Sequence, residues 1–290
     1  MITRSYRFAG IDIAVSMPEE LFYENEDSLS VFRVESESPD WTFVFGRVAE
    51  LSAPEGRLVS GTGNLWYSAA DDRKICYLDA YQENWENASV RIEYRGNTGY
   101  VQLREAKFPS KVPIRYVLKS LAVEHLTAKN NGFILHCSYI DHNGKAILFT
   151  APSGTGKSTQ ADLWQRYRNA EIINGDRAVV RIADGVLVAC GLPFSGTSEY
   201  CKNKTLPIEA IIYLGQAPAI SIRQLRGYEA FSKIWEGVSF NTWNKTDVEQ
   251  ISAAVQKAAG EIPVLHMLCT PDEAAVTALE KELRKLVEYA

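Results

Sequence analysis

The eight residues Ala151-Pro-Ser-Gly-Thr-Gly-Lys-Ser158 carry the chemistry most readily read from this chain, which is the binding of phosphate. Their spacing is that of a P-loop, with Ala151 where glycine usually stands. Gly154 and Gly156 can take backbone conformations closed to other residues, so that consecutive N–H groups turn inward onto phosphate oxygens. Lys157 adds a point charge for the β- and γ-phosphates, and the Ser158 hydroxyl suits Mg²⁺. A helix starting there aims the positive end of its dipole at the same anion. Pro152, Ser153, Gly154, Thr155, Gly156, Lys157, Ser158 and Thr159 are the expected nucleotide-binding residues.

Such a loop needs a strand before it and a helix after it. Lys145-Ala-Ile-Leu-Phe-Thr150 reads as a buried strand, and Thr159 to Tyr167 as a helix with Ala161, Trp164 and Tyr167 three apart. A metal held against phosphate also needs an acid, usually at the end of a neighbouring strand. Asp176 meets that need, because it follows the apolar run Glu171-Ile-Ile-Asn174. An ordinary turn aspartate is the alternative reading of Asn174-Gly-Asp176.

The chain has 290 residues, 46% hydrophobic and 23% charged, enough for one or two globular domains. A net charge of -5 without a basic block argues against a nucleic-acid or membrane-surface partner. Cys76, Cys137, Cys190, Cys201 and Cys269 are scattered, with no metal-finger spacing, and read as reduced thiols. No apolar leader core or membrane-length run is present, so a cytoplasmic location is expected.

Residues 1–112 are expected to form a β-rich, antiparallel N-terminal domain. Its runs are Ile11 to Val15, Trp41 to Phe45, Ile75 to Leu78, Val90 to Tyr94 and Tyr100 to Leu103. Trp41, Trp66, Tyr77, Tyr81 and Trp85 are read as packing rather than a ligand platform, and Gly61-Thr-Gly63 as too short for a phosphate loop. From residue 113 onward an α/β nucleotide-binding domain, 113–290, is expected. It opens with a linking helix from Pro113 to Asn131, where His125 continues the apolar face. Apolar runs then alternate with helices. Thr246 with Glu249, and Thr270 with Glu273, read as capping boxes opening the last two helices.

The stretch from Leu135-His136 through Lys157-Ser158, followed by Ile172-Ile-Asn-Gly-Asp-Arg177, resembles the HPr serine kinase/phosphorylase family and its relatives in the phosphoenolpyruvate carboxykinase superfamily. Those proteins show a histidine some twenty residues before the phosphate loop and a D-D-R motif after it. His136, the loop and Asp176-Arg177 follow in that order. Gly191 to Gly196, Leu206 to Leu214 and Pro263 to Glu273 are less specific echoes, and the likeness spans roughly residues 130 to 285. Two departures stand out: Gly175 replaces the first aspartate, and no counterpart of the family's C-terminal loop for dephosphorylation is found.

The resemblance implies an α/β fold, with a P-loop core of the HPr-kinase type beside the β-rich domain. It implies ATP and Mg²⁺ as cofactors and γ-phosphate transfer to a hydroxyl of a protein, peptide or small-molecule acceptor. Asp176, Lys157 and His136 are then the expected catalytic residues, Ser158 and Asp176 the expected metal holders, and a homo-oligomer is compatible with it. The polar stretch Gly191 to Lys204, with Ser195, Thr197, Ser198, Glu199, Lys202, Asn203 and Lys204, is read as the acceptor side or a solvated connection. Arg177 and Arg223 could steady a phosphate. Rival readings are a non-catalytic nucleotide sensor or peptide-binding module, an ATP-dependent carboxykinase, and a GTPase suggested by Asn244-Lys-Thr-Asp247.

Overall fold

The computed structural model describes residues 1–22, 29–61, 64–70, 72–80, 84–196, 198 and 200–288, with residues 287 and 288 described by backbone only. Tyr81, Thr62, Gly63, Thr197 and Glu199, named above, lie outside the described residues. The chain divides into two compact units, Met1–Val123 and Glu124–Ala290. Among the described residues no helix is long and apolar enough to cross a membrane.

The first unit is built on a mixed sheet. Its strands are β1 (Ile2–Phe8), β2 (Ile11–Met17), β3 (Arg33–Val34), β4 (Trp41–Val48), β5 (Arg57–Ser60), β6 (Leu65–Ala70), β7 (Arg73–Leu78), β8 (Val90–Arg95) and β9 (Thr98–Arg104), in spatial order β3-β1-β2-β4-β9-β8-β7-β6-β5. β4 pairs with β2 and with β9 in parallel, which corrects the antiparallel expectation. Period-two patterning shows that a strand has an inner face and does not show which way its neighbour runs. The aromatics pack as expected: Trp41 and Tyr77 are buried, and Trp66 stacks on Tyr94 with ring centroids 5.7 Å apart.

A charged knot sits on β7 and β8. The Glu93 carboxylate accepts from Arg91 Nη2 at 3.0 Å and from the Nε atoms of Arg73 and Arg95 at 2.5 Å, while Arg91 and Glu93 are 3% and 5% exposed. Burial pushes this carboxyl up, but the hydrogen bonds from Arg73, Arg95 and Arg91 outweigh it and bring it down to about 2. Because the folded value is depressed, the stabilisation is complete above the ordinary glutamate value of 4.5 and is lost as pH falls toward 2. Glu93→Gln leaves the buried Arg91 without its counter-charge and is expected to destabilise the unit by about 3 kcal/mol. Urea unfolding of the full chain at neutral pH checks this, and a midpoint equal to that of the unsubstituted protein contradicts it.

The linking helix is two helices, α1 (Ile114–Ser120) and α2 (Val123–Lys129), broken at Ala122, whose φ is 46°. α1 is tied into the first unit, where Tyr94 Oη donates to Ser120 O at 3.1 Å and Tyr116 Oη to Asp79 Oδ2 at 2.6 Å. Ala128 of α2 belongs to the core of the second unit. The two compact units divide after Val123, and the left-handed Ala122 just before that division costs roughly 1–2 kcal/mol.

The second unit is an α/β fold with a sheet covered on both faces. It comprises β10 (Gly132–His142), β11 (Lys145–Thr150), α3 (Lys157–Arg168), β12 (Glu171–Asn174), β13 (Arg177–Ala183), β14 (Val186–Cys190), β15 (Thr205–Gln216), β16 (Ser221–Leu225), α4 (Gly227–Trp235), β17 (Val238–Ser239), α5 (Lys245–Glu261), β18 (Val264–Cys269) and α6 (Glu273–Glu288). α3 and α6 bury Trp164, Ala161, Val276 and Leu279 against one face of the sheet. α4 and α5 bury Ala230, Ile234, Ile251 and Val255 against the other. Burial on both faces explains why β11 reads as a continuous apolar run. The last two caps differ from the capping boxes expected. Asn244 accepts from Asp247 N at the start of α5, and Asp272 accepts from Ala275 N at 3.1 Å at the start of α6. Short carboxylate and amide side chains set close to their helices outcompete Thr246 and Thr270 for the first N–H groups. Cys76, Cys137, Cys190 and Cys269 are buried free thiols.

Candidate active site

Two long strands, β10 and β15, divide their length between two sets of neighbours, and the candidate site lies where β10 does so. Residues 132–136 of β10 pair with β13, ending at His136 opposite Arg177, and residues 137–142 pair with β11, starting at Cys137 opposite Thr150. Three expected parts of a site are thereby brought to one place by backbone register: His136, the end of the strand that feeds the 151–158 loop, and the Asp176-Arg177 corner. Cross-links fix the junction. Cys137 N donates to Asp176 O at 2.9 Å, Thr150 Oγ1 to His136 O at 3.0 Å, and His136 N to Gly237 O at 2.7 Å.

The loop itself has the backbone its sequence requires. Gly154 and Gly156 have φ of 77° and 114°, and a Cβ built on either would meet no heavy atom within 4 Å. The left-handed turn is thus a demand of the chain path, and the space in front of it is open. α3 begins at Lys157 with the Gly156 conformation as its N-cap and no side chain capping it. Its first N–H groups are therefore presented to an incoming anion. Lys157 is 8% exposed and its Nζ donates to Ala151 O at 2.9 Å and Pro152 O at 3.3 Å. Those contacts employ two of its three N–H donors. Burial lowers its pKa, opposed by Cys137 and by the Asp176 charge, which places the ammonium in electrostatic reach of that carboxylate. Pro152, Ser153, Gly154, Ser158 and Thr159 are exposed, while Thr155 and Gly156 are half-buried.

His136 Nε2 lies 3.2 Å from Asp176 Oδ1, and Arg177 donates from Nε to Oδ2 at 2.7 Å. The hydrogen bond from His136, joined by the Arg177 charge and opposed by burial, lowers the Asp176 carboxyl to about 2. Asp176 is therefore ionised at neutral pH, and an ionised carboxylate only accepts, so the Nε2 of His136 carries the hydrogen. Arg177 also lies over the Phe194 ring, 5.4 Å from its centroid.

Asn174, the last residue of β12, organises this corner. Its side chain is fully buried. Oδ1 accepts from the N–H groups of Asp176 and Arg177, both at 3.0 Å, and Nδ2 donates to Phe194 O at 3.0 Å and Leu192 O at 3.3 Å. All four hydrogen-bonding capacities of the amide are used, joining the carboxylate turn to the segment after β14. A buried asparagine one residue before a Gly-Asp turn was the available signal. Gly175 also acquires a reason: a Cβ there would lie 2.3 Å from Ser198 Oγ, so the space of a second aspartate is filled by a serine from that segment.

The other expected residues are engaged elsewhere. Lys202 and Lys204 pair with Glu171 at 2.8 Å, Lys204 also with Asp141, and Arg223 pairs with Glu229. His125 Nδ1 lies 2.8 Å from Asp247 Oδ2, and Asp247 is 2% exposed. Asn244 and Asp247 of the guanine-like pattern thus serve a helix cap and a buried histidine contact.

A cleft of about 570 Å³ opens beside the loop, lined by Gly154 to Gly156, Thr159, Gln160, Leu214 to Pro218 and Cys269 to Pro271. β11, β15 and β18 are mutually parallel, so their carboxyl ends share this edge, the usual ligand side of a parallel α/β sheet. Gln160 is 3% exposed, donates from Nε2 to Cys269 Sγ at 3.3 Å, and has an Oε1 with no partner among the described residues. Lys157, His136 and Asp176 are not in the lining, so the carboxylate corner lies outside this cleft.

No protein-family model and no curated protein matches the chain. Among solved structures, the HPr(Ser) kinase/phosphatase from Coxiella burnetii is similar to part of it: 11% identity, 53% of this chain and 98% of that chain covered, and a TM-score of 0.34. A superposition of that quality establishes no common function, and function has to be argued from the site.

Proposed function

We propose that the second unit is an ATP-dependent phosphotransferase. Its nucleoside would occupy the cleft, its phosphates the 151–158 loop, and a hydroxyl acceptor the Asp176 corner. The observation that carries this reading is the division of β10, which sets an ionised carboxylate and a histidine beside the end of the strand that feeds an open, glycine-turned helix N-terminus. Phosphoryl transfer asks a protein mainly for positioning and for charge placed where charge develops, and these parts supply both.

The residues fit the expected cofactors. The open space over Gly154 and Gly156 leaves the loop amides room for phosphate, and the unmet Gln160 acceptor on the cleft wall suits an occupant that brings N–H donors. Among the described residues no three His, Cys, Asp or Glu side chains converge into a metal cage. Mg²⁺ here would be held by the Ser158 hydroxyl, phosphate oxygens and water. Asp176 would act through that water, because each of its oxygens keeps a lone pair beside the one that His136 or Arg177 engages. The metal would neutralise charge on the phosphates. Lys157 would direct its remaining N–H at the terminal phosphate, and His136 would hold Asp176 toward the acceptor hydroxyl. Engagement of Asn244 and Asp247 in α5 supports ATP over GTP.

Calorimetric titration of the full chain with ATP and GTP in Mg²⁺, joined to a mass-spectrometric screen of hydroxyl acceptors, tests the proposal. ATP binding with phosphate appearing on an acceptor is the expected result. A clear guanine preference overturns the nucleotide assignment. ATP binding with no phosphate transferred to any hydroxyl, and no effect of Asp176→Asn, supports the non-catalytic sensor reading instead.

A further inference from the structure

We infer that the chain carries its own acceptor: Ser198 is phosphorylated in cis by ATP bound at the 151–158 loop, an inference that rests on the kinase reading above.

The segment after β14 packs on the corner that carries Asp176. Ser198 Oγ sits against Gly175, the residue before Asp176, so closely that a Cβ on that glycine would be 2.3 Å away. Gly196 backs onto the carboxylate itself, since a Cβ there would stand 2.7 Å from Asp176 Oδ1. Ser195 Oγ and Ser198 Oγ are 2.8 Å apart, so the hydroxyl pair is preformed.

Both flanks of the segment are anchored to the same corner. Asn174 holds the carbonyls of Leu192 and Phe194, Arg177 lies over the Phe194 ring, and Lys202 N donates to Ile173 O at 3.0 Å. A merely solvated connection would have no reason for four such ties to the turn that carries the catalytic carboxylate. The exchange of an expected aspartate for Gly175 fits the same picture, because only glycine leaves room for the Ser198 side chain.

The step balances without a further reactant. Ser198 Oγ forms a bond to the γ-phosphorus as the bond from that phosphorus to the β,γ-bridging oxygen breaks. ADP leaves with the electron pair, and the hydroxyl proton, oriented by the Asp176 carboxylate, departs late in the transfer to water. Ser198 thereby gains close to two negative charges at neutral pH, two residues from the glycine that backs onto Asp176.

The experiment incubates the full chain with γ-labelled ATP and Mg²⁺, maps the label by peptide mass spectrometry, and measures ATP binding separately by calorimetry. The expected result is one phosphate on Ser198, with a rate constant independent of protein concentration, lost in Ser198→Ala and in Asp176→Asn but retained in Ser195→Ala. Ser198→Ala should bind ATP as tightly as the unsubstituted chain. ATP binding without label on Ser198, label confined to other residues, or a rate that rises with protein concentration each overturns the inference and leaves the kinase reading standing. Absence of ATP binding overturns both.

Discussion

Lys157→Ala is expected to abolish measurable ATP binding, a loss of at least about 100-fold, while the fold survives. Hydrogen bonds to charged groups contribute about 1.5–3 kcal/mol each, and the lysine is the one side chain in the loop whose charge can follow the terminal phosphates. The fold has little to lose. The ammonium is buried enough that its pKa is lowered, so protonating it works against the folded state until an anion arrives. Its present partners, the carbonyls of Ala151 and Pro152, belong to a loop whose path is set by glycine conformations. Because the folded pKa lies below the ordinary lysine value, affinity should also weaken as pH rises through that lowered value and the ammonium is lost. Calorimetry on Lys157→Ala decides the matter. An unchanged dissociation constant together with an unchanged unfolding midpoint would remove the phosphate from this loop.

The loop could be read from the sequence because its chemistry is local. Strand, turn and helix lie within the span Lys145 to Arg168, and both glycines are needed for torsion angles that few other residues adopt. β11 was legible for a related reason: a strand buried on both faces is an uninterrupted apolar run. The division of β10 was not legible. Nothing in Leu135-His136-Cys137 marks the residue at which a strand exchanges one neighbour for another, because pairing partners are chosen by segments forty residues away. Asn174 escaped for the same reason, since its role is a set of contacts with residues such as Phe194, and Ser198 could be named only as one of several polar residues between Gly191 and Lys204, because its contact with Gly175 is made across the fold. The Ala122 break was hidden because an unbroken apolar stripe cannot show that its two halves belong to different cores.

Asp176→Asn is expected to leave ATP affinity within a few-fold of the original and to slow phosphoryl transfer by about 10²–10⁴, the range associated with removing a positioned proton-handling group. The binding half of this expectation follows from the cleft and the loop, neither of which draws on Asp176 for its shape. The rate half follows from charge. At about 2, the carboxyl is ionised throughout the working range, held so first by the hydrogen bond from His136 and then by Arg177. An amide of the same size keeps an acceptor for only one of those two partners and brings no negative charge to a proton leaving the acceptor or to a water on the metal. A carboxylate with so low a pKa is a weak base, so its contribution is to orient the hydroxyl and stabilise positive charge late in the transfer, as the loose transition state of phosphoryl transfer permits. The pH profile separates these ideas from a generic structural effect. With Asp176 as the acting group, no acid limb due to it should appear until pH falls toward 2, so a limb between pH 5 and 7 has to arise from another group. Steady-state kinetics of the two proteins across that range provide the check: equal turnover with and without the aspartate charge would show that the corner at β10 holds the carboxylate for architecture alone.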